Sequence, residues 1–450
     1  MNLGVVSRRQ FRIGCLLLVL LGAGLVGADY VGARLDSGGD SGALDRVDSS
    51  AVEPIPTASE YRPENYTVIT SVNGAISSAR EKGTLVVVDS AGREVYVNNS
   101  YNVYDDVDPS PEGRWTVNYV AAEKLSGQAC AEFESDPCTR NFIERLNFST
   151  GEVERLYAAK TPRVTNSRWH DADRLDEHRF LLADIAEERI LVVNVTTDRI
   201  VKEWNLSDGF DRQQIGASDE HDWAHLNDVE MLSNGYVMAS PRNFDQVIFV
   251  RLDEGVNRSL TLGSDDNYDV LFEQHNPDYL TAEGEPPAVL VADSENNRIV
   301  EYSRQDGEWR QTWVWADQEL KWPRDADRLP NGNTLVTDTS GHRVVEVSPS
   351  GEVLWGVKVP GGYDAERLGT GDESATGKPA TALETAGSSA DYGIVAKFPP
   401  TLRLAVNGVL FVLPPWAGLQ TLLGGLFVVV AGVVWTGAEA IGVFRRVSLG

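Results

Sequence analysis

Three histidines occupy the same position in a pattern that recurs along the chain. His170, His225 and His275, three of the six histidines, each stand three residues before an aspartate. In a fourth copy of the pattern, the equivalent position is Arg324. Three imidazoles and a guanidinium that converge on one place would bind an anion and supply a nucleophile. The pattern therefore marks a candidate site for anion chemistry.

The same residues allow two other interpretations. A histidine and an aspartate at a fixed spacing can be purely structural, with hydrogen bonds between the repeats. We interpret the repeated aspartates in this way, because aspartate favours turns and such hydrogen bonds; they are Asp173, Asp228, Asp278 and Asp327. Three histidines could also bind a metal. No carboxylate obviously completes such a site, so we expect neither a metal nor a cofactor.

A second recurring pair joins an aspartate to an arginine five positions later. It occurs as Asp184/Arg189, Asp293/Arg298 and Asp338/Arg343. A regular carboxylate–guanidinium pair in successive repeats is most simply a structural clamp. The copy that begins at His225 lacks the aspartate, so Arg242 is predicted to be available for an incoming anion. An exposed turn arginine is the alternative.

The repeat itself predicts the fold. The copies lie about fifty residues apart, the length of one propeller blade. Each contains short apolar strands separated by turns, and helical periodicity is nearly absent. Two looser copies, from Gly83 and Pro111, bring the number to about six. The sequence predicts an all-β, six-bladed β-propeller over residues 60–360, in which rotation about one axis brings equivalent positions together.

The charge balance is strongly acidic, with 67 acidic residues against 40 basic ones. A surface of this sign repels phosphates, which excludes a nucleic-acid partner. The acidic residues are dispersed and lysine is scarce, a composition typical of proteins that stay soluble in concentrated salt. We therefore predict a halophilic protein, with an ordinary acidic exoprotein as the alternative.

Residues 1–30 are predicted to be a signal sequence or an N-terminal membrane anchor. Adjacent Arg8 and Arg9 resemble a twin-arginine export signal and precede an apolar run. The run is short for a membrane span and ends in a suitable cleavage site, Val26-Gly27-Ala28. The alternative is an uncleaved membrane anchor whose N-terminal end is held in the cytoplasm by the arginines. Residues 31–59 are predicted to be a leader or linker.

The C-terminal part contains a stalk and a membrane segment. Residues 361–400 are rich in glycine, alanine, serine and threonine, which predicts a flexible stalk. Residues 401–446 are predicted to be the membrane segment, because 416–444 is apolar and long enough to cross a bilayer and so contact membrane lipid. The shorter run at 402–413 is interpreted as an interfacial segment, with a tight hairpin as the alternative. Arg445 and Arg446 would hold this end in the cytoplasm.

Both ends would place the bulk of the chain outside the cell. We predict a cell-membrane protein whose two termini are cytoplasmic if the N-terminal segment is not cleaved. An oxidising location would allow a disulfide between Cys130 and Cys138. The sequence also contains candidate glycosylation triplets at Asn65, Asn98, Asn147, Asn194, Asn205 and Asn257.

Three segments resemble a known family. They are WHDADRL, WAHLNDVEMLSNGYVMASPRN and EQHNPDYL with the downstream VLVADSENNRIVEY. Over residues 80–360 the chain is similar to the arylsulfate sulfotransferases, which are six-bladed propellers exported by bacteria. The separate N-terminal β-domain of those enzymes is not evident in this sequence, and terminal membrane segments take its place.

The resemblance implies transfer of a sulfuryl group from an aryl sulfate to a phenolic or other hydroxyl acceptor, without a nucleotide donor. His275 would be the nucleophile and would be transiently sulfated. His170, His225, Asn227 and Arg242 would hold the sulfuryl oxygens and polarise donor or acceptor. The membrane segments extend the candidate acceptors to a cell-surface glycan or a lipid.

Two rival functions remain open at the level of sequence. The chain could be a non-catalytic propeller that binds glycans or partner proteins at the cell surface, with the histidines as scaffold. It could also be a lyase or hydrolase that holds a metal on the same histidines.

Overall fold

The computed structural model describes residues 8–36, 52–55, 61–72, 82–212, 221–370, 377–383, 388–414 and 416–447. The chain divides into two compact units, one of residues 1–47 with 408–450 and one of residues 48–407. Parts of the predicted leader and stalk, at 37–51, 56–60, 371–376 and 384–387, lie outside the described residues. So do the side chains of the arginines at positions 8, 9, 445 and 446.

The larger unit is built from short strands. In chain order they are β1 Glu53–Pro54, β2 Thr67–Ser71, β3 Thr84–Val88, β4 Glu94–Asn98, β5 Val103–Pro109, β6 Thr116–Leu125, β7 Cys138–Asn147, β8 Glu152–Thr161, β9 Trp169–Asp171, β10 Arg179–Asp184, β11 Arg189–Asn194, β12 Arg199–Asn205, β13 Leu226–Met231, β14 Val237–Pro241, β15 Gln246–Arg251, β16 Gly255–Val256, β17 Leu262–Gly263, β18 His275–Leu280, β19 Ala288–Asp293, β20 Arg298–Gln305, β21 Glu308–Ala316, β22 Pro323–Arg328, β23 Thr334–Asp338, β24 Arg343–Val347, β25 Val353–Lys358, β26 Gly362–Arg367 and β27 Ser389–Ala390.

The helices are fewer. Within the described residues there are three α-helices, namely α1 Arg8–Asp36, α2 Pro400–Val412 and α3 Leu419–Val447. Short 3₁₀ turns occur at Gly127–Cys130, Leu206–Asp208, Arg242–Phe244, Ala380–Ala382 and Val395–Lys397.

The strands form six sheets, which are the blades of a β-propeller. Their orders are β26-β2-β3-β4, β5-β6-β7-β8, β9-β10-β11-β12, β13-β14-β15-β16 with β17 beside β15, β18-β19-β20-β21-β27, and β22-β23-β24-β25-β1. The first strand of each sheet contacts the first strand of both neighbouring sheets, so these six strands line a central channel. The prediction of a six-bladed, all-β propeller is confirmed.

Second and third strands of the blades are buried on both faces, because each blade packs between two others. Thus β3, with the sequence TLVVV, and β19, with AVLVAD, are buried along their whole length. A strand in that position is a continuous apolar run rather than an alternating one. The outermost strand β4 is partly exposed, as its more polar sequence EVYVN indicates.

Strand β26 closes the ring and corrects the predicted domain boundary. It pairs antiparallel with β2, with Thr67 opposite Arg367, and so becomes the innermost strand of the first blade. Residues 361–400 were predicted to be stalk, but Gly362–Arg367 belongs to the propeller. At the other boundary, Glu53–Pro54 lies in the predicted leader yet pairs with β25. Joining distant parts of the chain in one sheet removes an open strand edge.

Carboxylates on the innermost strands, or just after them, tie neighbouring blades together. Each accepts a hydrogen bond from a backbone N–H of the next blade; the pairs are Asp364 with Val107 (2.8 Å), Asp106 with Ala172 (3.1 Å), Asp171 with Val229 (2.6 Å), Asp173 with Met231 (2.8 Å), Glu230 with Tyr279 (3.1 Å) and Asp325 with Ala365 (3.2 Å). The structural role predicted for Asp173 is therefore confirmed.

The predicted clamps are also present. Each aspartate lies opposite its arginine where the second strand of a blade turns into the third. The distances from Nε to Oδ2 are 2.8 Å for Asp184/Arg189, 2.6 Å for Asp293/Arg298 and 2.7 Å for Asp338/Arg343. A buried carboxylate held by a guanidinium fixes the turn at the end of the blade.

In the part of the smaller unit that the structure describes, two helices are long and apolar enough to span a membrane. The candidate spans are Arg12–Val31, with a mean hydropathy of 2.0, and Leu419–Glu439, with a mean hydropathy of 1.9. Arg12 forms an ion pair with Glu439 at 2.5 Å, which gives the lone acidic side chain of the second helix a partner. Helix α2, with 13 residues, is too short to span a bilayer as a helix.

Two further predictions concern covalent modification of the chain. The structure contains a disulfide between Cys130 and Cys138. Of the candidate glycosylation residues, Asn65 is exposed and the other five are partly buried. Glycosylation itself, export and salt adaptation stay predictions.

Candidate functional site

The innermost strands all begin at the same end of the channel, and the candidate residues lie at the beginnings of these strands. His275 is the first residue of β18, His170 the second of β9, Arg324 the second of β22, and His225 directly precedes β13. The ring centroids of His170 and His225 are 5.2 Å apart. The structure thus brings the predicted residues to one end of the channel.

Tyr363, on β26, joins these side chains. Its ring centroid lies 5.6 Å from that of His170 and 6.4 Å from that of His275. The guanidinium carbon of Arg324 lies 4.6 Å from the same ring, within cation–π distance. Tyr363 therefore links three of the predicted site residues at the centre of the cluster.

His275 is held through one ring nitrogen. Its Nδ1 lies 3.2 Å from the carbonyl oxygen of Glu273 and 2.8 Å from Oγ of Ser294. A carbonyl oxygen can only accept, so Nδ1 carries the hydrogen. The hydroxyl of Ser294 donates to the carbonyl of Pro323 at 2.7 Å and so also accepts from Nδ1.

The other ring nitrogen of His275 is the candidate reactive atom of the site. Since Nδ1 bears the hydrogen, Nε2 has the lone pair. Nε2 is buried and has no hydrogen-bond partner among the residues that the structure describes. A buried lone pair held in a fixed orientation and not engaged by the protein is suited to nucleophilic attack on a bound ligand.

His225 is paired with a carboxylate. Its Nδ1 donates to Oδ1 of Asp222, so Nε2 of this ring also has the lone pair. His225 adopts a φ of 52°, a left-handed conformation that is uncommon for histidine. A histidine oriented by a carboxylate can accept a proton from a substrate, as a general base does.

His170 is held by Tyr363 and Asn227. The Tyr363 hydroxyl lies 2.9 Å from Nδ1 of His170, and Oδ1 of Asn227 lies 3.3 Å from the same atom. The Asn227 amide donates to the carbonyl of Gln274 at 3.1 Å. Asn227 therefore joins His170 to the residue that precedes His275.

Three guanidinium groups lie near the histidines, those of Arg168, Arg242 and Arg324. Arg168 forms an ion pair with Asp105 at 2.6 Å, and Arg324 packs over Trp322 at 5.0 Å and over Tyr363. Burial lowers the pKa of Arg324 to about 10, so this group remains charged at neutral pH. Guanidinium groups at this place can hold the oxygens of an anionic ligand.

Arg242 corrects one expectation. It was predicted to be unpaired because its blade lacks the clamp aspartate. In the structure its Nε lies 3.5 Å from a carboxylate oxygen of Glu273, which precedes β18 of the next blade. Sequence spacing within one blade could not show this partner, because the pair forms between blades.

The histidines are neutral. Burial lowers the pKa of His170, His225 and His275 well below the usual value. The charges of nearby arginines, chiefly Arg168, Arg242 and Arg324, lower these values further. Neutral imidazoles keep their lone pairs at physiological pH, while the arginines supply the positive charge.

Sequence reasoning missed three residues of the site. Tyr363 lay in the segment predicted as stalk, and Arg168 and Asp222 lie outside the repeated pattern. Asp222 stands three residues before His225, a spacing that the other two histidines do not share. Within the described ranges, no group of three or more histidine, cysteine, aspartate or glutamate side chains is arranged to hold a metal ion.

Comparisons with known proteins concern only the fold. No family model and no curated protein sequence matches the chain. Among solved structures, a protein of unknown function from Bacteroides caccae is 12% identical over 67% of this chain and 97% of that chain, with a TM-score of 0.45. The periplasmic gluconolactonase of Pseudomonas aeruginosa is 13% identical over 68% of this chain and 99% of its own, with a TM-score of 0.43. Virginiamycin B lyase from Staphylococcus aureus is 9% identical over 69% of this chain and 88% of its own, with a TM-score of 0.38.

Proposed function

We propose that this protein is a sulfotransferase, which moves a sulfuryl group from an aryl sulfate to a hydroxyl acceptor through a sulfated His275. The observation that carries the proposal is the unengaged, buried Nε2 of His275 beside the guanidinium groups. A sulfate monoester carries the negative charge that these groups attract. The resemblance of the three histidine segments to arylsulfate sulfotransferases supports the same reaction.

In the first step Nε2 of His275 attacks the sulfur of the donor. An N–S bond forms, the bond between sulfur and the aryl oxygen breaks, and its electron pair leaves with the phenolate. The hydrogen on Nδ1 stays in place, where Glu273 and Ser294 hold it. The sulfated ring is then an imidazolium, which is a good leaving group.

In the second step the acceptor hydroxyl attacks the same sulfur. An O–S bond forms, the N–S bond breaks, and its electron pair returns to Nε2 of His275. The proton of the acceptor passes to Nε2 of His225, which Asp222 orients, and from there to solvent or the departed phenolate. Arg242, Asn227 and Arg324 would hold the sulfuryl oxygens in both steps.

Purified full-length protein in lipid nanodiscs, in high salt, tests the proposal with a chromogenic aryl sulfate and a phenol acceptor. We expect turnover that His275→Ala abolishes and that His178→Ala, at an exposed position, leaves unchanged. With donor alone, mass spectrometry should find one added sulfuryl group on the peptide that contains His275. Turnover that persists in His275→Ala would rule out the covalent route.

The rival function predicts a different result. A non-catalytic surface propeller would bind glycans or proteins and release no phenol from any aryl sulfate. The same assay therefore separates the two.

A further inference from the structure

The first two turns of α2 are packed with their polar side inward. Arg403 and Asn407 are four residues apart and so share one face of the helix. Asn407 is only 1% exposed, and its amide donates to Oε2 of Glu295 at 2.8 Å. Arg403 is also buried, and its guanidinium carbon lies 5.4 Å from the ring of Phe272.

These two contacts are with neighbours of the proposed nucleophile. Glu295 directly follows Ser294, whose Oγ accepts from Nδ1 of His275. Phe272 stands three residues before His275, near the end of the connection that leads from β17 to β18. Burial, with the charge of Glu273 second, raises the pKa of Glu295 to about 8, whereas Arg242 and Arg403 lower it. The beginning of α2 therefore packs beside the wall of the site.

Apolar side chains on either side of this buried polar stripe are exposed. Leu402 is 47% and Leu404 39% exposed, and Ile394, just before the helix, is 60% exposed. A helix that buries arginine and asparagine and exposes leucine is the inverse of a helix on a water-soluble surface. It is typical of a helix that lies at a membrane surface, with its apolar side in the lipid.

The chain order indicates what covers this face. After α2 the chain continues into α3, whose Leu419–Glu439 stretch is long and apolar enough to span a bilayer. A helix just before such a span is positioned to rest on the same bilayer. We therefore propose that α2 lies on the lipid surface and that the acceptor of the proposed sulfotransferase is a membrane amphiphile with a hydroxyl headgroup.

This inference rests on the proposed function and names its acceptor. The hydrophobic tail stays in the bilayer while the hydroxyl group reaches His275 past α2. Removing a tail from lipid becomes more costly with each methylene group, so a site beside the membrane surface avoids that cost. The acceptor oxygen attacks the sulfated His275 as described above, and no further reactant is needed.

The test uses two acceptors with the same phenol. One is a water-soluble short-chain alkylphenol, and the other is a long-chain 4-alkylphenol inserted in the nanodisc that holds the full-length protein. The variant Leu402→Glu/Leu404→Glu should lower kcat/KM for the long-chain phenol at least tenfold and leave the short-chain value unchanged. The matched control Ile200→Glu/Val201→Glu, on the exposed strand β12, should change neither.

A second measurement does not depend on activity. An environment-sensitive fluorophore on Leu404→Cys, in a background with Cys15→Ser, should shift to the blue when the protein enters nanodiscs. The same label on Val201→Cys should not shift. Thermal unfolding of each variant checks that it is folded.

The outcomes are distinct. The membrane-acceptor inference would be overturned if Leu402→Glu/Leu404→Glu lowered kcat/KM equally for both phenols or for neither. It would also be overturned if the label at position 404 showed no fluorescence shift. Either result would leave the transfer reaction in place. No turnover of any aryl sulfate by the native protein would instead reject the proposed function, and the acceptor inference with it.

Discussion

Oγ of Ser294 lies 2.8 Å from Nδ1 of His275 and holds the ring through the nitrogen that is not the proposed nucleophile. Because the Ser294 hydroxyl donates to Pro323, the serine accepts from Nδ1 and holds one tautomer of the ring. The proposed chemistry depends on that tautomer, since only it leaves the lone pair on Nε2.

Ser294→Ala should lower kcat about tenfold, the effect of losing one positioning hydrogen bond. KM for the donor should change little, because Ser294 contacts Nδ1 of His275 and not Nε2, the atom proposed to attack the donor. Steady-state kinetics with the chromogenic donor measure both constants. Ser348→Ala, at an exposed turn, is the control and should have native kinetics. Native kcat in Ser294→Ala would contradict the positioning role.

The activity should fall as the pH drops through about 6. Burial raises the pKa of Asp222 to about 6, so this carboxylate takes up a proton in that range and no longer accepts from His225. The histidines do not cause the fall, because their own pKa values lie well below the usual range. A kcat profile from pH 5 to 8 measures the effect.

Asp222→Asn tests whether Asp222 causes this fall in activity, which is the acidic limb of the pH profile. It should lower kcat about a hundredfold, the scale of a lost general base, and remove the limb. Burial also raises the pKa of Asp105 to about 6, although Arg168 opposes the shift. Asp105→Asn is therefore the control, and a limb that disappears only in this variant would assign the pH dependence to Asp105 instead.

Glu301→Gln should lower the free energy of unfolding by about 3 kcal/mol, the cost of leaving one buried charge without its partner. Glu301 and Arg328 are fully buried, 3.0 Å apart, and join β20 to β22. Chemical denaturation of the full-length protein measures the change. The double variant Glu301→Leu/Arg328→Met removes both charges, so its free energy of unfolding should fall by less than that of Glu301→Gln. Asp89→Asn, which removes an exposed ion pair with Arg93, should cost less than about 0.5 kcal/mol.

Ala365→Pro should destabilise the propeller by about 3 kcal/mol, the cost of proline inside regular structure. The N–H of Ala365 donates to Asp325 at 3.2 Å, across the point where the ring closes. Ala365→Gly keeps that N–H and should cost about 1 kcal/mol. Comparable midpoints of thermal unfolding for the two variants would show that the closing hydrogen bond contributes little.

The sequence determined the features that repeat at a fixed spacing. The positions of His170, His225 and His275 in their blades, the Asp/Arg clamps and the six-bladed ring follow from one template read along the chain. The two apolar helices followed from composition alone. Such features are local, because a strand, a turn or an apolar run is specified by its own residues.

Only the tertiary structure decided what joins distant parts of the chain. It assigned Gly362–Arg367 to the first blade, which placed Tyr363 against His170, and it paired Arg242 with Glu273 across a blade boundary. It also gave His275 its two partners and so its tautomer. Closing a ring brings residues hundreds of positions apart into hydrogen-bond distance. The spacing of residues within one repeat does not predict which of these distant residues come into contact.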